Sequence, residues 1–384
     1  MPCDKQAGAM QQNAGSREPP HGSAPGRQPA LASFTELSYR HFRDLERRPE
    51  QSAKESFMPF KALIAASAAA AASLLALPAH AVEGKLVLYT SQPNTDAQQT
   101  IDAFKAKYPK VDVSFVRDGT PRVMAKLRAE FEAGAPQADI LLIADSVTME
   151  GLKKENRLLA HDKADLSAYP AGIHDPQKMW FATKLITTGI VYNTKAAMKP
   201  ASWADLAKPE TKNLLAMPSP LTSGAALIHT MTLTNALESG WSYYEKLQAN
   251  GAVAAGGNGD ILRQVATGEK LYGMIVDFMP IREKAKGAPV EFVFPREGVS
   301  SVSEPVAVLS STKNPEAAKA FVDFLISQDG QELALKQGYI AAHPKVALPA
   351  GYPARDAIKL MPFDAAKALS EEAAARKRFS AIFE

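Results

Sequence analysis

Three short segments of this chain place glycine, proline and small polar residues where helices are predicted to begin: Gly119-Thr120-Pro121, Thr222-Ser223-Gly224-Ala225 and Asn258-Gly259-Asp260. The first turn of a helix leaves backbone N–H groups without intrahelical partners, and the aligned peptide dipoles add positive potential there. Phosphate and phosphonate groups bind at such ends. Taken singly, each segment reads as an ordinary helix cap. Three acids follow predicted strands or precede one: Asp145, Asp277 and Glu304. Strand ends are where ligand groups gather in open α/β sheets, and a carboxylate there can accept hydrogen bonds from an ammonium or from sugar hydroxyls. Each of the three also reads as a solvated carboxylate or a salt-bridge partner. Arg122 and Arg263 are candidate counter-charges for an anion, each on a helix that could equally point it into solvent.

Other chemistries find little support. The chain lacks a Gly-x-Ser-x-Gly elbow, and its one cysteine, Cys3, precedes the folded part, so nucleophilic catalysis has no framework beyond Ser223 and the distant His229. A secreted hydrolase is the reading from a different class. His229 sits in an apolar helix and reads as a packed histidine, and there is no His-x-x-x-His pair or acid cluster with metal spacing. His174 and His343 lie in proline-containing loops and receive no role. Tyr243-Tyr244 sits in Trp241-Ser242-Tyr243-Tyr244-Glu245-Lys246-Leu247, whose spacing is that of an amphipathic helix. Trp180, Phe181, Met274, Phe278 and Met279 read as packing residues. No cofactor and no metal are expected.

The elements that must hold these residues alternate. Lys85 to Thr90 reads as a strand, Asp96 to Tyr108 as a helix with Ala97, Ile101 and Phe104 on one face, and Val111 to Val116 as a strand with period two. A helix from Pro121 to Gly134 and the apolar run Ala138 to Ile143 follow, and this β-α-β-α-β order calls for a doubly wound, mostly parallel sheet. After a helix over Ser146 to Asn156, strand material at Trp180–Lys184 and Gly189–Asn193 is broken at Thr187-Thr188, where the chain is expected to pass between lobes. A second α/β series runs through Asn213–Met217, helices from Ser223, Gly240 and Gly259, and the strand Tyr272–Val276. The strands Val290–Phe294 and Glu304–Leu309 and the Asn314–Ser327 helix then return to the first lobe.

Residues 58–81 predict a cleaved signal peptide: Lys61 supplies the basic start, Ala62 to Leu77 the apolar run, and Ala79-His80-Ala81 the small-residue exit. The run is too short and too alanine-rich for a membrane span. Residues 1–57 form a Gly-, Pro- and Gln-rich extension, disordered or mis-assigned, with Met58 the expected start. Arg47-Arg48 is a chance pair, because Pro49 and Glu50 follow where a twin-arginine signal wants apolar residues. Export without disulfides suits a bacterial periplasm. From Val82 onward, 35 Lys+Arg face 34 Asp+Glu, a balance that advertises no nucleic-acid partner.

In order along the chain stand Val87-Leu88-Tyr89-Thr90-Ser91-Gln92, Gln137-Ala138-Asp139-Ile140, Thr188-Gly189-Ile190-Val191-Tyr192-Asn193-Thr194, Pro218 to Ala226, Val265-Ala266-Thr267-Gly268-Glu269 and Asn314 to Phe321. With these pieces behind a signal peptide, the chain resembles the extracellular solute-binding proteins of ABC importers, in the group with ferric, hexose-phosphate, 2-aminoethylphosphonate and thiamine binders. The resemblance implies a type II periplasmic-binding-protein fold: two α/β lobes, 82–188 completed by about 300–345, and 189–299 with 346–384 as its completion, joined by a two-strand hinge. It also implies no catalysis, a monomer, a small anionic solute in the cleft, and an inner-membrane ABC permease as partner. The expected ligand-binding set is Ser91, Thr120, Asp145, Ser146, Thr188, Thr222, Ser223, Gly224, Ala225, Asn258, Asp277 and Glu304. Ferric ion is the alternative ligand. The family's ferric binders carry two adjacent tyrosines after the strand that follows the Gly-Glu turn, and the corresponding stretch here, Met274 to Pro280, has none.

Overall fold

The computed structural model describes residues 82–384; the expected extension and signal peptide lie outside the described residues. In chain order the elements are β1 (Gly84–Thr90), α1 (Asn94–Lys107), β2 (Val111–Arg117), α2 (Thr120–Glu132), β3 (Ile140–Leu142), α3 (Ser146–Lys154), β4 (Leu158–Leu159), β5 (Phe181–Ala182) and β6 (Lys184–Asn193). Then come β7 (Leu215–Met217), α4 (Gly224–Ala236), α5 (Trp241–Ala249), β8 (Val253–Ala254), α6 (Asn258–Thr267), β9 (Tyr272–Val276), α7 (Phe278–Ala285), β10 (Val290–Val293) and β11 (Ser300–Val302). The chain ends with β12 (Pro305–Leu309), α8 (Pro315–Ile326), α9 (Gln328–Lys336), β13 (Ile340–Ala341) and α10 (Ala365–Phe383).

Two sheets result, one per lobe. The first is ordered β2-β1-β3-β12-β4 with β5 on β12, and the second β10-β6-β9-β7-β8 with β11 and β13 on β6. β1 pairs in parallel with β2 and β3, as the β-α-β-α-β alternation requires. Both sheets are nonetheless mixed, because β12 runs antiparallel to β3 and β6 antiparallel to β9. The reason is connectivity: β6 and β12 enter from the other lobe, so no crossover helix within their own sheet turns the chain to parallel.

The passage between lobes differs from the sequence expectation. Thr187 and Thr188 do not break the strand: β6 is continuous from Lys184, and the first crossing falls at Thr183, between β5 and β6. β-branched threonine suits a buried strand once its hydroxyl is satisfied, and Thr187 Oγ1 donates to Asp277 Oδ2 at 2.7 Å. The second crossing, Ser303-Glu304, lies beside the first, with Thr183 N donating to Ser303 O at 3.2 Å. A third follows α9, where β13 pairs with the start of β6.

Each lobe has its own apolar core. In the first, Phe104 of α1 meets Phe321 of α8 edge-on, with ring centroids 4.9 Å apart. In the second, Trp203, Tyr243 and Tyr244 are buried, with Tyr243 Oη donating to Trp203 O at 2.8 Å. His229 is packed there, its Nδ1 2.8 Å from Ser300 Oγ, and burial pushes its pKa down to about 3. α10 anchors in the second lobe through Phe379 against Tyr244 and also packs on α3 of the first.

Candidate ligand cleft

A cavity of about 430 Å³ opens between the lobes. The first lobe contributes Ser91 after β1, Arg117, Asp118, Gly119 and Thr120 between β2 and α2, and Ala144 after β3. The second contributes the Thr222–Ala225 loop, the Gly256–Asp260 loop, Ile186 on β6, and Val276, Phe278 and Met279 where β9 passes into α7; Glu304 comes from the hinge. These are mainly carboxyl ends of parallel strands and the helix starts that follow them, the place where open α/β sheets gather ligand groups.

Three helix amino ends therefore meet one space. Ser223 caps α4 by accepting from Ala226 N at 3.3 Å, which leaves the Gly224 and Ala225 amides with no partner within the helix. Asn258, the first residue of α6, donates from Nδ2 to Ser223 Oγ at 3.2 Å and accepts Val276 N at 3.1 Å, tying α6, α4 and β9 together. Asp260 turns its carboxylate back to Gly257 N at 2.9 Å, away from the role of ligand acceptor. Thr222 Oγ1 donates to Gly256 O, joining the two glycine-rich loops. α2 begins at Thr120 with Pro121 in its first turn, so it offers fewer donors than the other two.

Charge around the cavity is mixed. Arg117 Nε donates to Gln92 O at 2.8 Å, and exposed Arg122 stands 3.7 Å from Asp118. Glu304 accepts from Lys184 Nζ at 2.8 Å and Gln92 Nε2 at 3.2 Å on one oxygen, Oε2. Burial raises its pKa despite both partners.

Of the twelve residues expected to meet ligand, Ser91, Thr120, Thr222, Ser223, Gly224, Ala225, Asn258 and Glu304 line the cavity. Four do not. Asp277 is buried and turned inward: Oδ2 accepts Thr187 N at 3.1 Å as well as the Thr187 hydroxyl, and Oδ1 accepts Phe278 N at 2.7 Å. The register that sets Thr188 opposite Val276 brings Thr187 against Asp277, a pairing invisible to local sequence. Asp145 caps α3 through Val147 N, Thr148 N and the Thr148 hydroxyl, and faces a smaller cavity of about 230 Å³ beside α10. Burial pushes the pKa of both acids up to about 6. Ser146 and Thr188 are buried in α3 and β6. Arg122 borders the cleft, whereas Arg263 pairs with Glu269 at 2.9 Å on the surface.

Arg117, Asp118 and Ile186 also line the cavity without any local sign in the sequence, and Phe278 and Met279, packing residues by their sequence, line it too. Gly256-Gly257, directly before a predicted helix start, was the available signal for the second loop. Arg117 ends a strand whose alternation alone could not show which face the cleft would take.

The family model described as bacterial extracellular solute-binding protein matches residues 135–368. An uncharacterised protein of Haemophilus influenzae is 28% identical over 268 residues, covering 67% of this chain and 77% of its own length. The periplasmic binding protein AfuA from Actinobacillus pleuropneumoniae, solved with fructose-6-phosphate bound, superposes with a TM-score of 0.73 at 25% identity, covering 78% of this chain and 98% of AfuA. Iron-bound HitA from Pseudomonas aeruginosa superposes at 0.68 with 22% identity, over 78% of this chain and 99% of HitA, a likeness of fold.

Proposed function

This chain belongs to the bacterial extracellular solute-binding proteins, and from that premise we propose that its cleft captures a small organic solute carrying a phosphate or phosphonate group for delivery to an inner-membrane ABC permease. The protein is a solute-binding component of an ABC importer and not an enzyme. What supports a phosphate or phosphonate is the convergence of the α4 and α6 amino ends, with the α2 start opposite, on one cavity lined by Ser91, Thr120, Thr222 and Ser223. Unpartnered amides and helix dipoles suit a dianionic oxyanion. Arg117 and Arg122 add positive charge, and Glu304, whose Oε2 is held by Lys184 and Gln92, keeps Oε1 as an acceptor for a hydroxyl or ammonium on the organic part. The likeness to AfuA, which was solved with a hexose phosphate, supports the same reading.

Ferric ion fits the donors less well. It requires hard, ionisable oxygens, yet Glu304 is tied to Lys184 and Asp260 to Gly257, and among the described residues no tyrosine lines the cavity. Among the described residues no group of three or more His, Cys, Asp or Glu is placed to hold a metal ion.

Titration calorimetry with fructose 6-phosphate, 2-aminoethylphosphonate, thiamine, spermidine and ferric citrate tests the proposal. An organic phosphate or phosphonate is expected to bind, without being consumed. Binding of ferric citrate and of neither phosphorus compound would overturn it.

A further inference from the structure

In a two-lobe binder, affinity depends on how readily the closed arrangement forms, because a ligand whose binding-competent state is a fraction of the population binds more weakly by that fraction. Besides the α10–α3 packing and the Arg282–Asp96 pair, the two lobes approach each other in the cleft at two glycines that line it. A Cβ built on Gly224, in the second lobe, would lie 2.8 Å from the Ala144 carbonyl oxygen, 2.8 Å from Asp145 Cβ and 2.9 Å from Thr120 Oγ1, all in the first lobe. A Cβ on Gly119, in the first lobe, would lie 2.4 Å from the Thr222 carbonyl oxygen in the second. Two of these obstacles are backbone oxygens and a third is a Cβ, so rotating a side chain would not clear them.

Neither glycine is demanded by its own backbone. Gly119 has φ −58° and ψ 147°, a conformation open to any residue. Gly224 is the first residue of α4 and is not among the positive-φ glycines; within a helix alanine is the better former. What excludes a side chain at both positions is the opposite lobe.

We propose that Gly119 and Gly224 are positioning residues for closure, a reciprocal pair of bare backbone faces that set how closely the lobes approach. A single methyl at either removes the closed arrangement while leaving each lobe intact. The inference rests on the interlobe cleft being the binding site, and not on which solute occupies it.

Spin labels at Lys126→Cys on α2 and Arg263→Cys on α6, in a full-length Cys3→Ser background, report the interlobe distance by double electron–electron resonance; the two native side chains are 48% and 59% exposed. The otherwise unaltered chain is expected to show a short-distance population, enlarged by fructose 6-phosphate. Gly224→Ala and Gly119→Ala should abolish it and weaken fructose 6-phosphate binding about tenfold or more. The Gly224→Ala melting temperature should hold or rise, an outcome opposite to that of a merely structural glycine. Retention of the short distance in both variants overturns the inference, and so does its absence from the unaltered background in every condition. A short distance that fructose 6-phosphate leaves unchanged, but that Gly224→Ala removes, excludes fructose 6-phosphate as the solute and supports the closure role.

Discussion

Replacing Lys184 with methionine isolates the charge pair that joins the two hinge crossings. Lys184 Nζ lies 2.8 Å from Glu304 Oε2, with only 4% and 2% of the respective side chains exposed. Lys184 also sits over the Tyr339 ring, 4.0 Å from its centroid. At an effective dielectric near 20, charges that close attract by about 6 kcal/mol, much of it offset by the desolvation of two ions. The variant does not measure that net value, because it strands the Glu304 carboxylate with Gln92 as its remaining partner. Breaking a buried pair from one side costs about 3–5 kcal/mol. Burial already raises the Glu304 pKa, and losing Lys184 raises it further. A carboxyl whose folded pKa lies above its unfolded value binds more protons in the folded state, so its penalty grows as pH climbs through that interval and fades as acid protonates it. Urea unfolding followed by circular dichroism should therefore show a deficit of about 3–5 kcal/mol near neutral pH, shrinking as acid brings the pH down toward the unfolded carboxyl value. The Lys184→Met/Glu304→Gln double variant should recover most of it. A deficit below about 1 kcal/mol at neutral pH, the scale of an exposed pair, or one that grows in acid, would refute the reasoning.

Ser223→Ala should lower affinity for an organic phosphate by roughly one to two decades and cost about 1 kcal/mol of stability through the lost α4 cap, read by calorimetry and thermal melts. Unchanged affinity would take Ser223 out of the site. Asp277→Asn should leave affinity within about twofold, because the carboxylate is spent on Thr187 and Phe278, and should destabilise the fold by about 1–3 kcal/mol, since an amide cannot accept from every one of those donors. The raised Asp277 pKa, about 6, also predicts that wild-type stability falls as pH rises from the unfolded carboxyl value to about 6, by an increment that the variant lacks. Identical pH profiles from urea midpoints would contradict that assignment.

Local chemistry was enough to read the element types, the two α/β series, and the three helix starts at Gly119-Thr120, Thr222–Ala225 and Asn258-Gly259, because periodicity, caps and turn residues act within a few positions of themselves. The packing of His229 and the amphipathic helix of Tyr243-Tyr244 were legible for the same reason, since apolar spacing marks a helix face whatever that face meets, but full burial of both tyrosines was decided by the lobe. Lobe assembly decided the rest. It made both sheets mixed, kept β6 continuous through Thr187-Thr188, and turned Asp277 and Asp145 into internal caps, because strand register and hinge connectivity bring together residues far apart in the chain. The same assembly brought Arg117 to the cleft and set Gly119 and Gly224 against the facing lobe. A glycine whose own backbone would accept any side chain gives no local sign of why it is bare; the atoms that forbid the methyl belong to a surface that exists only once both halves have folded and met.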